Sequence, residues 1–116
     1  MSNPSDTLTL PRAGRLQMDI HLSVEVNVTA AIARRKVNAF LATYLGNLLL
    51  AGEPVLTLGE HVAWRVPVDL TAPPVGRLGR VGEVDVDIES GEVFLDERRI
   101  AEIRERAHHL VASSPL

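Results

Sequence analysis

The sequence predicts a two-layer α+β fold, an antiparallel sheet packed by an early amphipathic helix. Three observations predict it. In residues 16–28, Leu16, Met18, Ile20, Leu22, Val24, Val26 and Val28 occupy every second position, the period of a strand with one apolar face. From residue 30 onward Ala33, Val37, Phe40, Leu41, Tyr44 and Leu48 recur at three- and four-residue steps, the stripe of an amphipathic helix. Residues 81–95 return to period two: Val84, Val86 and Ile88 alternate with Glu83, Asp85, Asp87 and Glu89 until Ser90-Gly91 breaks the run. That stretch reads as a hairpin with one apolar face.

Taken in order, residues 1–13 hold few apolar side chains and are expected to form a flexible arm. A single domain follows over residues 14–112, and residues 113–116 fray. At about 3.3 Å per residue the thirteen residues of the first strand would span about 43 Å. Such a strand either bends or extends beyond the domain to pair with another copy. Thr29 is an N-cap candidate for the first helix, which is expected to run to Leu50 and stop at Gly52, with Pro54 just beyond. Short strands follow over residues 55–58 and 62–70. Pro67 lacks an N–H donor, which places the second of these at a sheet edge or on a bulge. Residues 71–80 hold two prolines and two glycines before the final residue and read as a long connecting loop of functional interest. Asp96 is the N-cap candidate of a last helix over 97–112, with Ile100, Ile103, Ala107, Leu110 and Val111 as its stripe and Glu102–Arg106 as an i,i+4 pair. The predicted order is β-α-β-β-β-β-α.

Bulk properties narrow the partners. With 116 residues, 46% apolar and 23% charged, the chain suits one domain with its own core. Its net charge of −3, from 12 basic against 15 acidic residues, argues against nucleic acid as the default partner. Absence of cysteine excludes disulfides and thiolate chemistry. The opening MSNPSDTLTLPRAGR has no charged-then-apolar order, and the apolar-rich stretch 40–51 is too short to span a bilayer. A cytoplasmic protein with no membrane partner is expected.

Trp64-Arg65-Val66-Pro67-Val68, followed by Val86-Asp87-Ile88-Glu89-Ser90-Gly91-Glu92-Val93, resembles the PepSY family. There a helix precedes an aromatic-led strand and a later strand ends in a V-D-x-x-T/S-G-E-V turn. The arrangement is also similar to the cystatin-like one, a helix wrapped by an antiparallel sheet. The resemblance covers roughly residues 29–95 and implies a non-catalytic inhibitory or binding module. The turn also has a local rationale, since Asp87 can accept bonds from the N–H groups that follow it and Gly91 can take positive φ.

Residue chemistry offers few alternatives. Carboxylates two apart on a strand lie about 6.6–7 Å apart, so Glu83, Asp85, Asp87 and Glu89 read as an outer face paired with neighbouring arginines rather than a cation site. His108 and His109 point about 100° apart on a helix, and the Glu105/His109 pair supplies too few ligands for zinc. Neither a metal nor another cofactor is expected. Arg34, Arg35 and Lys36, with Arg77 and Arg80, form a candidate anion patch. Gly76, Gly79 and Gly82 match neither phosphate-binding fingerprint and read as loop flexibility.

The expected function is a non-catalytic interaction or regulatory module, a homodimer that also binds a protein partner. It would act through a strand edge and apolar surface, with Leu22, Val24, Trp64, Arg77 and Arg80 as candidate contact residues. One alternative is a small-molecule or catalytic domain with a pocket between helix and sheet, for which a buried cavity lined by His61, Arg65 or Tyr44 would speak. Another is an accessory of a nucleic-acid system.

Overall fold

The computed structural model describes residues 14, 15, 17, 19, 21, 23–46, 48–73 and 75–113. Its fold is α+β, and among the described residues the helix comes first. α1 (Ala30–Tyr44) is followed by β1 (Leu49–Ala51), β2 (Val55–Leu58), β3 (Val62–Ala72), β4 (Gly76–Asp87), β5 (Val93–Phe94) and α2 (Glu97–Ser113). The expected arm over 1–13 and residues 114–116 of the expected tail lie outside the described residues. Ser113 closes α2 instead of opening the tail.

The sheet is antiparallel in the order β1-β3-β4-β5, and β2 lies beside β1 on the same flank of β3. β3 is therefore interior, which an edge assignment for Pro67 did not anticipate. Pro67 stands where that flank passes from β1 to β2, and its carbonyl accepts from Gly52 N–H at 2.8 Å. An irregularity in register follows between Val68 and Asp69, the bulge that was the other expectation for this proline. A missing donor costs nothing where the neighbouring strand is interrupted.

Alternation sorts the two faces. Trp64, Val66, Val68 and Leu70 share one face with Val84 and Val86, through Val66 opposite Val84 and Trp64 opposite Val86. α1 inserts Ala33, Val37 and Leu41 into this face, and α2 inserts Ile103. Both helices thus cover the same side. Arg65, Asp69, Glu83 and Asp85 populate the other, open side.

Three stretches depart from the predicted elements. The long first strand is absent from its described residues. Only at its end do Asn27 and Val28 N–H donate, both to the Ile88 carbonyl, at 3.0 and 3.1 Å. Alternation defines a face, whereas a ladder also needs a neighbouring edge. The first helix ends at Tyr44 because Gly46 turns the chain at φ 108°, and Leu49–Ala51 pairs with β3. The stretch 71–80 is mostly ladder, since β3 runs to Ala72 and β4 starts at Gly76.

Two of the three glycines read as flexibility, Gly79 and Gly82, have another reason. A Cβ on Gly82 would lie 2.8 Å from Ile103 Cγ1, and one on Gly79 would lie 3.1 Å from Leu110 Cδ1. They let α2 approach the β4 backbone closely.

Local signals in the sequence correspond to observed contacts. Thr29 accepts from Ile32 N–H at 3.2 Å as the cap of α1. Asp96 accepts from Arg99 N–H at 2.8 Å at the start of α2. On α2, Glu102 pairs with Arg98 at 3.3 Å rather than with Arg106.

Candidate functional site

The flank formed by β1 and β2 is an outer edge of the sheet, and its two halves differ. Strand edges present unpaired backbone groups that invite another strand unless something blocks them. β1 is blocked by α1. Asn38 Oδ1 accepts from Ala51 N–H at 2.9 Å, Arg34 Nε donates to the Ala51 carbonyl at 3.1 Å, and Arg34 Nη1 continues to Glu53 at 3.2 Å. α1 thus satisfies the outward backbone groups of Ala51 with side chains.

β2 has no such cover among the described residues. Ile88 N–H donates to the Val62 carbonyl, so Val62 turns its backbone groups toward β4. By alternation Ala63 and Arg65 turn theirs toward β2, where they face Thr57 and Val55. Leu56 and Leu58 must therefore direct their N–H and C=O groups outward. The strand, Val-Leu-Thr-Leu, contains no charge. Val55 is 61% exposed, Leu56 48% and Leu58 40%. Leu56 stands opposite Trp64 on the helix-bearing face, and Val55 stands opposite Arg65 on the open one. Both faces of this edge strand are apolar, and Leu50 adds a further exposed side chain beside them.

Trp64, proposed from the sequence as a contact residue, is half-buried, and its Nε1–H donates to the Val28 carbonyl at 2.8 Å. It pins the chain that enters α1, and Leu56 is its neighbour. Val24 is half-buried in the irregular segment before α1. Leu22 lies outside the described residues.

The basic residues do not converge. Arg34 reaches β1, whereas Lys36 Nζ donates to the Gly91 carbonyl at 2.9 Å, and Arg35 is exposed between them. Arg77 and Arg80 pair with Asp69 at 3.2 and 3.5 Å on the open face, across the sheet from α1. Distance and prior engagement separate the five cations.

The open face carries an ion-pair lattice. Arg65 makes a bidentate contact with Asp85, Nε–Oδ1 3.0 Å and Nη2–Oδ2 3.2 Å, and lies 3.4 Å from Glu83. Its hydrogen bond to Asp85 is the main reason its pKa is raised. This is the arginine-paired outer face expected for the acidic row. Asp87 does something different. Its Oδ1 accepts from Glu89 N–H at 2.9 Å and Ser90 N–H at 2.8 Å, and the bond from Ser90 leads in holding its pKa below the usual carboxylate value. Gly91 follows at φ 76°. Both turn roles assigned to this string are present.

His61, Arg65, Asp85, Phe94 and Thr57 line a concavity of about 490 Å³. It lies on the open face, not between helix and sheet, and Tyr44 is exposed at the far end of α1. His61 stacks on Phe94 with centroids 5.8 Å apart, while its Nδ1 is 3.8 Å from Asp87 Oδ2, beyond hydrogen-bond distance. Thr57 Oγ1 donates to the Ala63 carbonyl. On α2, His109 and Glu105 stand 4.0 Å apart on an exposed face. Among the described residues no polar or charged side chain is buried, no three potential metal ligands gather, and no helix is long and apolar enough to cross a membrane.

The edge of β2 was missed in the sequence, although its short run of four uncharged, mostly apolar residues was a usable signal. Comparison of the chain with family models, curated proteins and solved structures finds no match.

Proposed function

We propose that the protein is a non-catalytic interaction module that works as a homodimer and associates through the β2 edge. One observation carries this reading: β2 is uncapped and uncharged beside a β1 whose edge α1 occupies with Asn38 and Arg34. A fold that caps one half of an edge and leaves the other apolar provides a strand-accepting surface. The PepSY- and cystatin-like likeness belongs to the same proposal. It is supported by α1 lying across an antiparallel sheet and by the Asp87–Gly91 turn.

The test is the mass of the full chain in solution by light scattering, wild type against Leu56→Lys. Leu56 is half-exposed, so lysine leaves the monomer fold intact while placing a charge at the edge. The expected result is a wild-type dimer and a variant at least about tenfold weaker in self-association, or about 1.4 kcal/mol. A wild-type monomer at tens of micromolar, or a Leu56→Lys dimer as tight as wild type, would contradict the reading.

A further inference from the structure

We propose that the strand accepted at the β2 edge is β2 of a second copy, antiparallel and centred on Thr57, so that Leu56 stands opposite the partner's Leu58. This rests on the proposed function and specifies the partner strand and its register.

The length of the edge selects the occupant. α1 engages the backbone of Ala51 through Asn38 and Arg34. Pro54, between β1 and β2, has no N–H to offer. The open ladder is therefore confined to Val55–Leu58, and its occupant is a strand of that length. β2 is such a strand, and it carries no charge. Copies of a chain with a net charge of −3 repel one another, so an uncharged strand is where they approach most readily.

Backbone groups then select the register. A two-fold axis perpendicular to the sheet joins edge to edge in antiparallel fashion. It also keeps both helix-bearing faces on one side. Leu56 and Leu58 direct their N–H and C=O groups outward, whereas Val55 and Thr57 turn theirs to β3. For the outward leucines to bond one another, the axis passes through position 56, 57 or 58. An axis at 56 sets Leu58 against the partner's Pro54, which has no donor for the Leu58 carbonyl. An axis at 58 sets Leu56 against the partner's Glu60, which lies in the turn between β2 and β3. An axis at 57 sets each leucine against the other, and every outward N–H and C=O of the pair gains a partner.

Side chains agree with that register. Leu56 stands opposite Trp64 on the helix-bearing face, and Leu58 follows by alternation. Both are partly exposed in the single chain, and as cross-strand pairs they shield each other from water. On the open face Thr57 meets the partner's Thr57 as a non-hydrogen-bonded pair, the closer type, with Cα atoms about 4.5 Å apart. Threonine opposite threonine is a favourable cross-strand pair.

The chain has no cysteine, so single-cysteine variants read the register directly. Leu56→Cys, Thr57→Cys and Leu58→Cys are oxidised with glutathione disulfide in the full chain. Val111→Cys, exposed on α2, is the off-edge control. Circular dichroism and sedimentation velocity check the fold and association of wild type and of each reduced variant. A disulfide needs Cα atoms about 4.4–6.8 Å apart. An axis at 57 brings the Thr57→Cys pair into that range, whereas cysteines at 56 or 58 meet their own copies diagonally, at about 7–8 Å. Thr57→Cys is expected to form the linked dimer at least about tenfold faster than the other three. An equimolar mixture of Leu56→Cys and Leu58→Cys reads the same register with Thr57 intact. Its thiols stand directly opposite, at about 5.5 Å between Cα atoms, so it should link faster than either variant alone. If Leu56→Cys or Leu58→Cys links fastest, if all three link equally, or if the mixture links no faster than its components, the register is overturned and the edge association stands. If neither the variants nor the mixture links faster than Val111→Cys while wild type is a dimer, another surface joins the subunits. If wild type is monomeric, nothing joins them. Either of these last results overturns the register and the edge reading together.

Discussion

Replacing Ile103 by aspartate is expected to release α2 from the sheet. Ile103 is the one side chain of α2 that is fully buried, 1% exposed, and it sits over Gly82, where even a methyl group would lie 2.8 Å from it. That seam is closely packed, and truncating a buried isoleucine to alanine alone costs about 2–5 kcal/mol. Aspartate adds the desolvation of a carboxylate at a position that is 1% exposed, and two of the neighbouring arginines, Arg99 and Arg104, are turned to the Glu83 and Tyr44 carbonyls. The total is expected to reach the upper end of that range or exceed it. Release of α2 also uncovers the β4 backbone at Gly79 and Gly82, on which Leu110 and Ile103 press. The checks are a lower urea midpoint and rapid proteolysis within residues 97–113, whereas Ile103→Val should cost only about 0.5–1.5 kcal/mol.

Gly91→Val is expected to be the other severe change. At φ 76° a β-branched residue is strained, on the order of 1–3 kcal/mol. Space is short as well: a Cβ would lie 2.7 Å from Lys36 Nζ and 3.3 Å from Val28 Cγ2. Lys36 can swing away, but it then gives up its bond to the Gly91 carbonyl. Val28 cannot move without loosening the Ile88 and Trp64 bonds that hold the entry to α1. The variant should therefore lose thermal stability and also show a red-shifted, more solvated Trp64 fluorescence. Gly46→Ala is the contrast. Its φ is also positive, yet its Cβ meets nothing within 4 Å, so it should show backbone strain alone and leave Trp64 unchanged.

What was legible in the sequence was local. Thr29, Asp96 and the Asp87–Gly91 turn act through hydrogen bonds spanning three or four residues, so residue type and spacing suffice to place them. The stripe of Ala33, Val37 and Leu41 and the row of Val84 and Val86 were legible because burial imposes a period. What was hidden depended on partners distant in sequence. Leu48-Leu49-Leu50 has no period of its own, and Leu49 becomes a strand residue because Leu70 lies across from it. Gly79 and Gly82 look like loop glycines until α2 is known to press on them. Pro67 suggested an edge because its missing donor was visible, whereas the interruption between β1 and β2 that accommodates it was not. The site suffered most from this. The seven-fold alternation of residues 16–28 points to the first strand, while the uncapped edge among the described residues is β2, distinguished by what α1 does to its neighbour.

Hydrogen exchange at individual amides tests the β2 edge most directly. Val55 and Thr57 face β3 and should be protected at every protein concentration. Leu56 and Leu58 face outward, so their amides should exchange rapidly in dilute samples and slow as concentration rises through the range of self-association. Protection of Leu56 and Leu58 that increases with concentration is the predicted result. Rapid exchange of both amides at all concentrations, with Val55 and Thr57 protected, would show that nothing pairs with this edge and would contradict the account.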